Sequence, residues 1–150
     1  QEKAARLGYT QVLWLDGVER KYVEEVGTMN VMFKINNEIY TAPIDGTVLP
    51  GVTRDSCIAL LKEWGYKVHE EHFTIDFLME AASKGELEEA FGTGTAAVIS
   101  PVGELNYKGE IAIINNFKTG ELTQRLYDTL TDIQWGKIED KFGWTHEVKR

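Results

Sequence analysis

Apolar positions along the chain alternate between the period of a strand and that of a helix. Glu2 to Leu7 is helix-forming and is followed by Gly8, which reads as the last turns of a helix with a glycine stop, so a true start upstream of Gln1 is expected. Gln11-Val12-Leu13-Trp14-Leu15 is a short apolar run closed by Asp16-Gly17, the pattern of a buried strand and a reversal. Strand-like stretches follow at Tyr22 to Glu25, Asn30 to Ile35 and Glu38 to Ala42, the last two joined by Asn36-Asn37, which tolerate the positive φ of a tight turn. This region predicts a meander.

The helical period then takes over. After a loop bracketed by Pro43 and Pro50-Gly51, Thr53-Arg54-Asp55-Ser56 starts a helix with Cys57, Ile58, Leu61 and Trp64 on one face before Gly65. Tyr66 to Glu71 alternates like a strand, and Thr74-Ile75-Asp76 opens a helix through Leu78, Met79 and Ala82 to Gly85. Glu89-Ala90-Phe91 and Ala97 to Val102 read as strands flanking a small-residue loop, Gly92-Thr93-Gly94-Thr95-Ala96, whose glycines permit close approach of a ligand. A strand at Ile111 to Ile114 precedes the longest helix, about Leu122 to Trp135, with Leu122, Leu126, Leu130 and Ile133 on one stripe. The charged tail from Lys137 keeps Phe142 and Trp144, so it is expected to dock in part on the body or on a further domain. The whole predicts one α/β domain with a largely antiparallel or mixed sheet packed by helices.

Composition narrows the partners. With 16 Lys plus Arg against 24 Asp plus Glu, the formal charge of -8 disfavours nucleic acid and anionic membranes, and no apolar run is long enough to span a bilayer. The single cysteine, Cys57, lies on an apolar helical face and reads as a buried structural thiol, which fits a reducing cytoplasm. His69 and His72 lie on or just after a polar strand with no Cys/His cluster nearby, so they read as surface histidines and no metal is expected there. His146 sits in the charged tail.

Three segments carry candidate chemistry. Leu49-Pro50-Gly51-Val52-Thr53 runs a Pro-Gly loop into a helix start, where free N–H groups and the positive dipole end suit a phosphate; simple capping by Thr53 is the plainer alternative. Phe91-Gly92-Thr93-Gly94-Thr95-Ala96 offers hydroxyls and exposed N–H groups to an oxyanion, or is a structural turn; it lacks the lysine of a Walker loop. Glu24-Glu25-Val26-Gly27-Thr28-Met29-Asn30 places carboxylates at a strand end, a position that is usually just solvated.

Taken together and in this order, behind Gln11-Val12-Leu13-Trp14-Leu15-Asp16-Gly17, these segments resemble branched-chain amino-acid aminotransferases, pyridoxal-phosphate enzymes of fold type IV. Pro101-Val102-Gly103-Glu104-Leu105, Thr123-Gln124-Arg125-Leu126-Tyr127 and Ile133-Gln134-Trp135-Gly136 extend the likeness over nearly the whole chain. The resemblance implies the C-terminal, cofactor-binding domain over residues 1–150, from a homodimeric cytoplasmic enzyme moving an amino group between branched-chain L-amino acids and 2-oxoglutarate. It implies Glu25 facing the pyridine nitrogen of pyridoxal 5'-phosphate and Thr28 lining the ring. The N–H groups of Val52 and Thr53 and the hydroxyl of Thr95 would hold the phosphate, and Thr95 and Ala96 would meet the substrate carboxylate. The family's catalytic lysine would precede Gln1, so no catalytic residue is assigned in this chain and the chain alone is expected to be inactive. Some relatives carry a Cys-x-x-Cys where Ala97 and Ser100 stand here, so no thiol switch is expected. Glu24, one residue from Glu25, is expected to point elsewhere. A D-amino-acid aminotransferase, an aminodeoxychorismate lyase and a non-catalytic binding module are the alternatives.

Overall fold

The computed structural model describes residues 1–149. A short helix, α1 (Glu2–Arg6), leads into β1 (Leu13–Leu15), β2 (Val23–Val26), β3 (Met29–Ile35) and β4 (Glu38–Thr41). Then come α2 (Val52–Glu63), β5 (Val68–Glu70), α3 (Ile75–Ser83), β6 (Leu87–Gly94) and β7 (Val98–Pro101). A hairpin of β8 (Glu104–Tyr107) and β9 (Glu110–Ile113) precedes the last helix, α4 (Glu121–Gln134). The two asparagines between β3 and β4 take the positive φ expected of them, 48° at Asn36 and 61° at Asn37.

The seven-stranded sheet is mixed: β4 and β5 pair in parallel and every other pairing is antiparallel. Its organising element is β3. Along one edge it pairs with β6 from Asn30 to Ile35, and its other edge is divided between β2, opposite Met29 and Asn30, and β4, opposite Phe33 to Ile35. Between them the sheet forks. The carbonyl of Val31, left without a strand partner there, accepts a hydrogen bond of 2.8 Å from the buried hydroxyl of Thr41. The chain leaving β4 passes from this fork into α2.

Alternation along β3 divides the interior in two. Val31, Phe33 and Ile35 pack with Leu78 and Met79 of α3 and with Leu105 and Ala112 of the hairpin. Met32 and Phe91 pack with Cys57, Ile58 and Leu61 of α2 and Leu122, Leu126 and Leu130 of α4. Cys57 is fully buried and desolvation pushes its thiol up to about 12, as befits a structural residue.

Two sequence expectations are corrected. Gly92-Thr93-Gly94 is not loop but the end of β6, and only 95–97 form the turn. The glycines answer to packing inside the protein: a side chain on Gly92 would come 2.9 Å from Met29 Cε, and one on Gly94 3.0 Å from Met29 Cγ. His69 is no free surface residue, for its ring stacks on Tyr40 at 4.3 Å and lies 2.6 Å from Glu38 Oε2. In the tail, Phe142 and Trp144 stack on one another at 4.3 Å, while Lys141 pairs with Glu63 of α2.

The reversal after β1 is built by one side chain. Asp16 accepts from the N–H groups of Val18, Glu19, Lys21 and Tyr22, and these backbone donors, Tyr22 foremost, hold its carboxyl far below the usual carboxylate range. A depressed folded-state value contributes stability above the ordinary aspartate range that is lost as pH falls through the depressed one. Amide exchange at Lys21 and Tyr22 should therefore stay protected through the pH range where ordinary carboxylates protonate, and Asp16→Asn should lose that protection at neutral pH. Equal protection in the two proteins would show that the carboxylate is not what holds the turn.

Candidate functional site

Glu24 and Glu25 owe their directions to a β-bulge. Trp14 pairs with Glu25 but Leu15 pairs with Val23, so β2 carries one more residue than β1 opposite it and Glu24 is the extra one. The bulge cancels the alternation that would part the two carboxylates. Val23 and Val26 both turn into the core, and both glutamates reach the loop between β4 and α2. Glu24 Oε1 accepts from Thr47 Oγ1 at 2.8 Å, and Glu25 Oε1 accepts from the N–H of Leu49 at 3.1 Å. The expectation that Glu24 points elsewhere fails for that reason. Glu25 Oε1 also accepts from Asn30 Nδ2 at 3.3 Å, whereas Oε2 takes no hydrogen bond among the described residues.

Three residues past Leu49 the helix α2 begins at Val52, with Gly51 as N-cap and no side-chain cap. Its first internal bond is from the N–H of Asp55 to the carbonyl of Gly51, so the N–H groups of Val52, Thr53 and Arg54 have no partner within the helix. The plainer expectation, capping by Thr53, is not what is seen. The other long helices start differently: Thr74 Oγ1 accepts from Phe77 N at the start of α3, and the Glu89 carboxylate accepts from the N–H groups of Leu122 and Thr123 at the start of α4. The positive end of α2 thus presents backbone donors whose chemistry suits an anion, and Val52 stands 82% exposed beside them.

Arg54 fastens that helix start. Its guanidinium is 2% exposed and donates through Nη2 to the Ala42 carbonyl at 2.9 Å and to Glu70 Oε1 at 3.2 Å, and through Nη1 to Asp55 at 3.3 Å. A cation in the first turn opposes the helix dipole. The carboxylates of Asp55 and Glu70 offset that cost, and the bonds to the Ala42 carbonyl and to Glu70 tie α2 to the end of β4 and to β5.

Thr28, in the turn from β2 to β3, and Thr95 and Ala96, in the turn from β6 to β7, are exposed. Because Asn30 pairs with Thr93, both turns lie at the same end of the sheet as Glu25. The hydroxyl of Thr93, in that same row, is buried and has no hydrogen-bond partner. The structure thus joins Glu25 directly to the approach of α2 and sets Thr28 and Thr95–Ala96 at neighbouring turns. No hydrogen bond links Thr95 to Val52 or Thr53. A separate apolar cleft of about 670 Å³, lined by Ala4, Leu7, Leu13, Met29, Val102 and Phe117, contains none of the candidate residues.

Arg54 and Asn30 were not singled out from sequence, although both left a signal. Arg54 lies three and four residues before Cys57 and Ile58, on the apolar stripe of its helix, and Asn30 shares the alternation of Met32 in a strand buried on both faces. An arginine or asparagine at a core position signals a buried polar connection.

The sequence profile of the amino-transferase class IV family matches residues 1–105. The chain belongs to this family. Branched-chain-amino-acid aminotransferase 2 of Bacillus subtilis (strain 168) is 58% identical over 148 residues, covering 99% of this chain and 41% of its own length. A probable branched-chain-amino-acid aminotransferase of Staphylococcus epidermidis is 55% identical over 150 residues, covering 100% of this chain and 42% of its own. The chain therefore spans about two fifths of the length of the curated relatives it matches. Among solved structures, the branched-chain amino acid aminotransferase of Escherichia coli superposes with a TM-score of 0.81 at 30% identity, covering 99% of this chain and 46% of that one. A second branched-chain amino acid aminotransferase, solved as a complex with N-(5'-phosphopyridoxyl)-L-glutamate, gives 0.77 at 30% identity, covering 95% and 44%. The α/β fold of this class IV chain is the fold of those aminotransferases. Among the described residues, no helix is long and apolar enough to cross a membrane.

Proposed function

We propose that this chain is the C-terminal, cofactor-binding domain of a pyridoxal-phosphate aminotransferase acting on branched-chain L-amino acids and 2-oxoglutarate, with residues 1–150 supplying the ring-nitrogen and phosphate contacts. The observation that carries the reading is that Glu25 and the uncapped start of α2 are joined through one short segment, Leu49 to Gly51. The same corner holds a buried hydroxyl without a partner, that of Thr93, and a carboxylate oxygen, Glu25 Oε2, free to accept. These donors and acceptors suit a ligand that is anionic at one end and carries an N–H at the other.

Each residue has a task that follows from its chemistry. The N–H groups of Val52 and Thr53, at the positive end of α2, bind a phosphate dianion, and the Thr95 hydroxyl adds a further donor. Glu25, pinned at Oε1, would offer Oε2 to the ring N–H and so favour the protonated ring. When bound, pyridoxal phosphate would supply an electron sink for the charge left as the amino acid loses its α-proton. Thr28 lines the ring, and the turn at Thr95 and Ala96 directs its backbone N–H groups to the substrate carboxylate. The lysine that moves the proton lies upstream of Gln1 in the longer protein, and that whole enzyme is a homodimer in the cytoplasm.

The full-length enzyme should transaminate leucine, isoleucine and valine with 2-oxoglutarate and leave D-alanine untouched, as read by 2-oxo-acid formation. The 150-residue chain alone should turn over neither. Turnover of D-alanine, or activity of the isolated chain, would contradict the assignment.

A further inference from the structure

We infer that Asn30 is a positioning residue that locks the two ends of this site at a fixed separation; the inference rests on the roles proposed for Glu25 and α2. Its side chain is 4% exposed and lies between the two. Nδ2 donates to Glu25 Oε1 at 3.3 Å and to the Leu49 carbonyl at 2.8 Å, and the Leu49 N–H returns to Glu25 Oε1 at 3.1 Å. Three residues therefore close a ring of hydrogen bonds, with both amide protons of Asn30 committed. Because both partners are acceptors, the amide can face them only with its nitrogen, so its orientation is determined. Oδ1 in turn lies against the N-cap of α2, close enough that a methyl group on Gly51 would overlap it.

This arrangement explains three otherwise separate features. Glu25 receives its two protein donors on one oxygen, which holds its plane and turns Oε2 outward. Gly51 is required because a side chain there would displace Asn30. Leu49 is fixed on both sides of its peptide units, so the chain enters α2 along one line and Val52 and Thr53 N–H point in one direction. An asparagine alone meets these demands: aspartate of the same size loses both donors and sets a second carboxylate against Glu25, and alanine cannot reach.

The test uses Asn30→Ala and Asn30→Asp in the full-length enzyme, with pyridoxal phosphate and with pyridoxal, which has the same ring and no phosphate. Affinity for pyridoxal phosphate should fall roughly ten- to a hundred-fold, the range for stranding buried hydrogen-bond partners. The preference for pyridoxal phosphate over pyridoxal should shrink, because the phosphate contacts are lost together with the ring contact. The 15N signal of a ring-labelled cofactor should move toward the neutral pyridine. A residue that merely supports the fold would lower Tm and leave both the preference and the 15N signal at wild-type values, and either readout remaining there overturns the inference. If Asn30→Ala does not fold, the equal-sized Asn30→Asp decides. Wild-type enzyme showing no preference for the phosphorylated form would instead remove the reading of α2, and the role of Asn30 with it.

Discussion

Glutamine in place of Glu25 should lower kcat of the full-length enzyme with leucine and 2-oxoglutarate by about 10²–10³-fold, the usual cost of removing one preorganised charge from a developing transition state. The substitution keeps shape and one acceptor oxygen, so the bonds from Leu49 N–H and Asn30 Nδ2 to Oε1 can persist and the loop need not move. What is lost is the negative charge proposed to face the ring. Cofactor affinity should change far less than kcat, because the helix start of α2 is untouched. Glu24→Gln is the matched control, since Glu24 is committed to Thr47 and should give near wild-type turnover. A large loss in Glu24→Gln with little in Glu25→Gln would mean that the bulge presents the other carboxylate to the ring.

The second large effect concerns stability and lies away from the site. Glu89 is 6% exposed and its carboxylate accepts three bonds at the start of α4: from Leu122 N at 3.0 Å, Thr123 N at 2.8 Å and Thr123 Oγ1 at 2.7 Å. It serves that helix as the built-in anion that α2 lacks. Glu89→Ala should cost about 2–4 kcal/mol, since it strands buried donors and opens a cavity at a point where the dipole also favours negative charge. Urea unfolding should show a lower midpoint at unchanged slope. Gly120→Ala should destabilise by the same route, because a methyl group there would overlap the Glu89 carboxylate, and the double variant should fall short of the sum of the two. Additive losses would show that Gly120 and Glu89 act independently.

Most elements were legible because their signals are local. The stripe Leu122, Leu126, Leu130 and Ile133 appears as α4 with all four residues buried, and Thr74 caps α3 as its spacing implied. Errors arose where a local rule met a contact from a distant segment. Gly92 and Gly94 looked like a ligand loop but are smoothed for Met29, more than sixty residues earlier in the sequence. The alternation rule parted Glu24 from Glu25, and a bulge whose partner strand is β1 reunited them.

The class of the fold, the helix and strand periods, the family and the candidate residues are all readable from short-range pattern and motif. The edge of β3 shared by β2 and β4, the exit of the chain from the resulting fork into α2, and the securing of that passage by Asn30 and Arg54 appear only in the folded chain. Those facts depend on which strands pair and in which register. Pairing is settled by burial summed over the whole sheet, and no stretch of residues carries that sum alone.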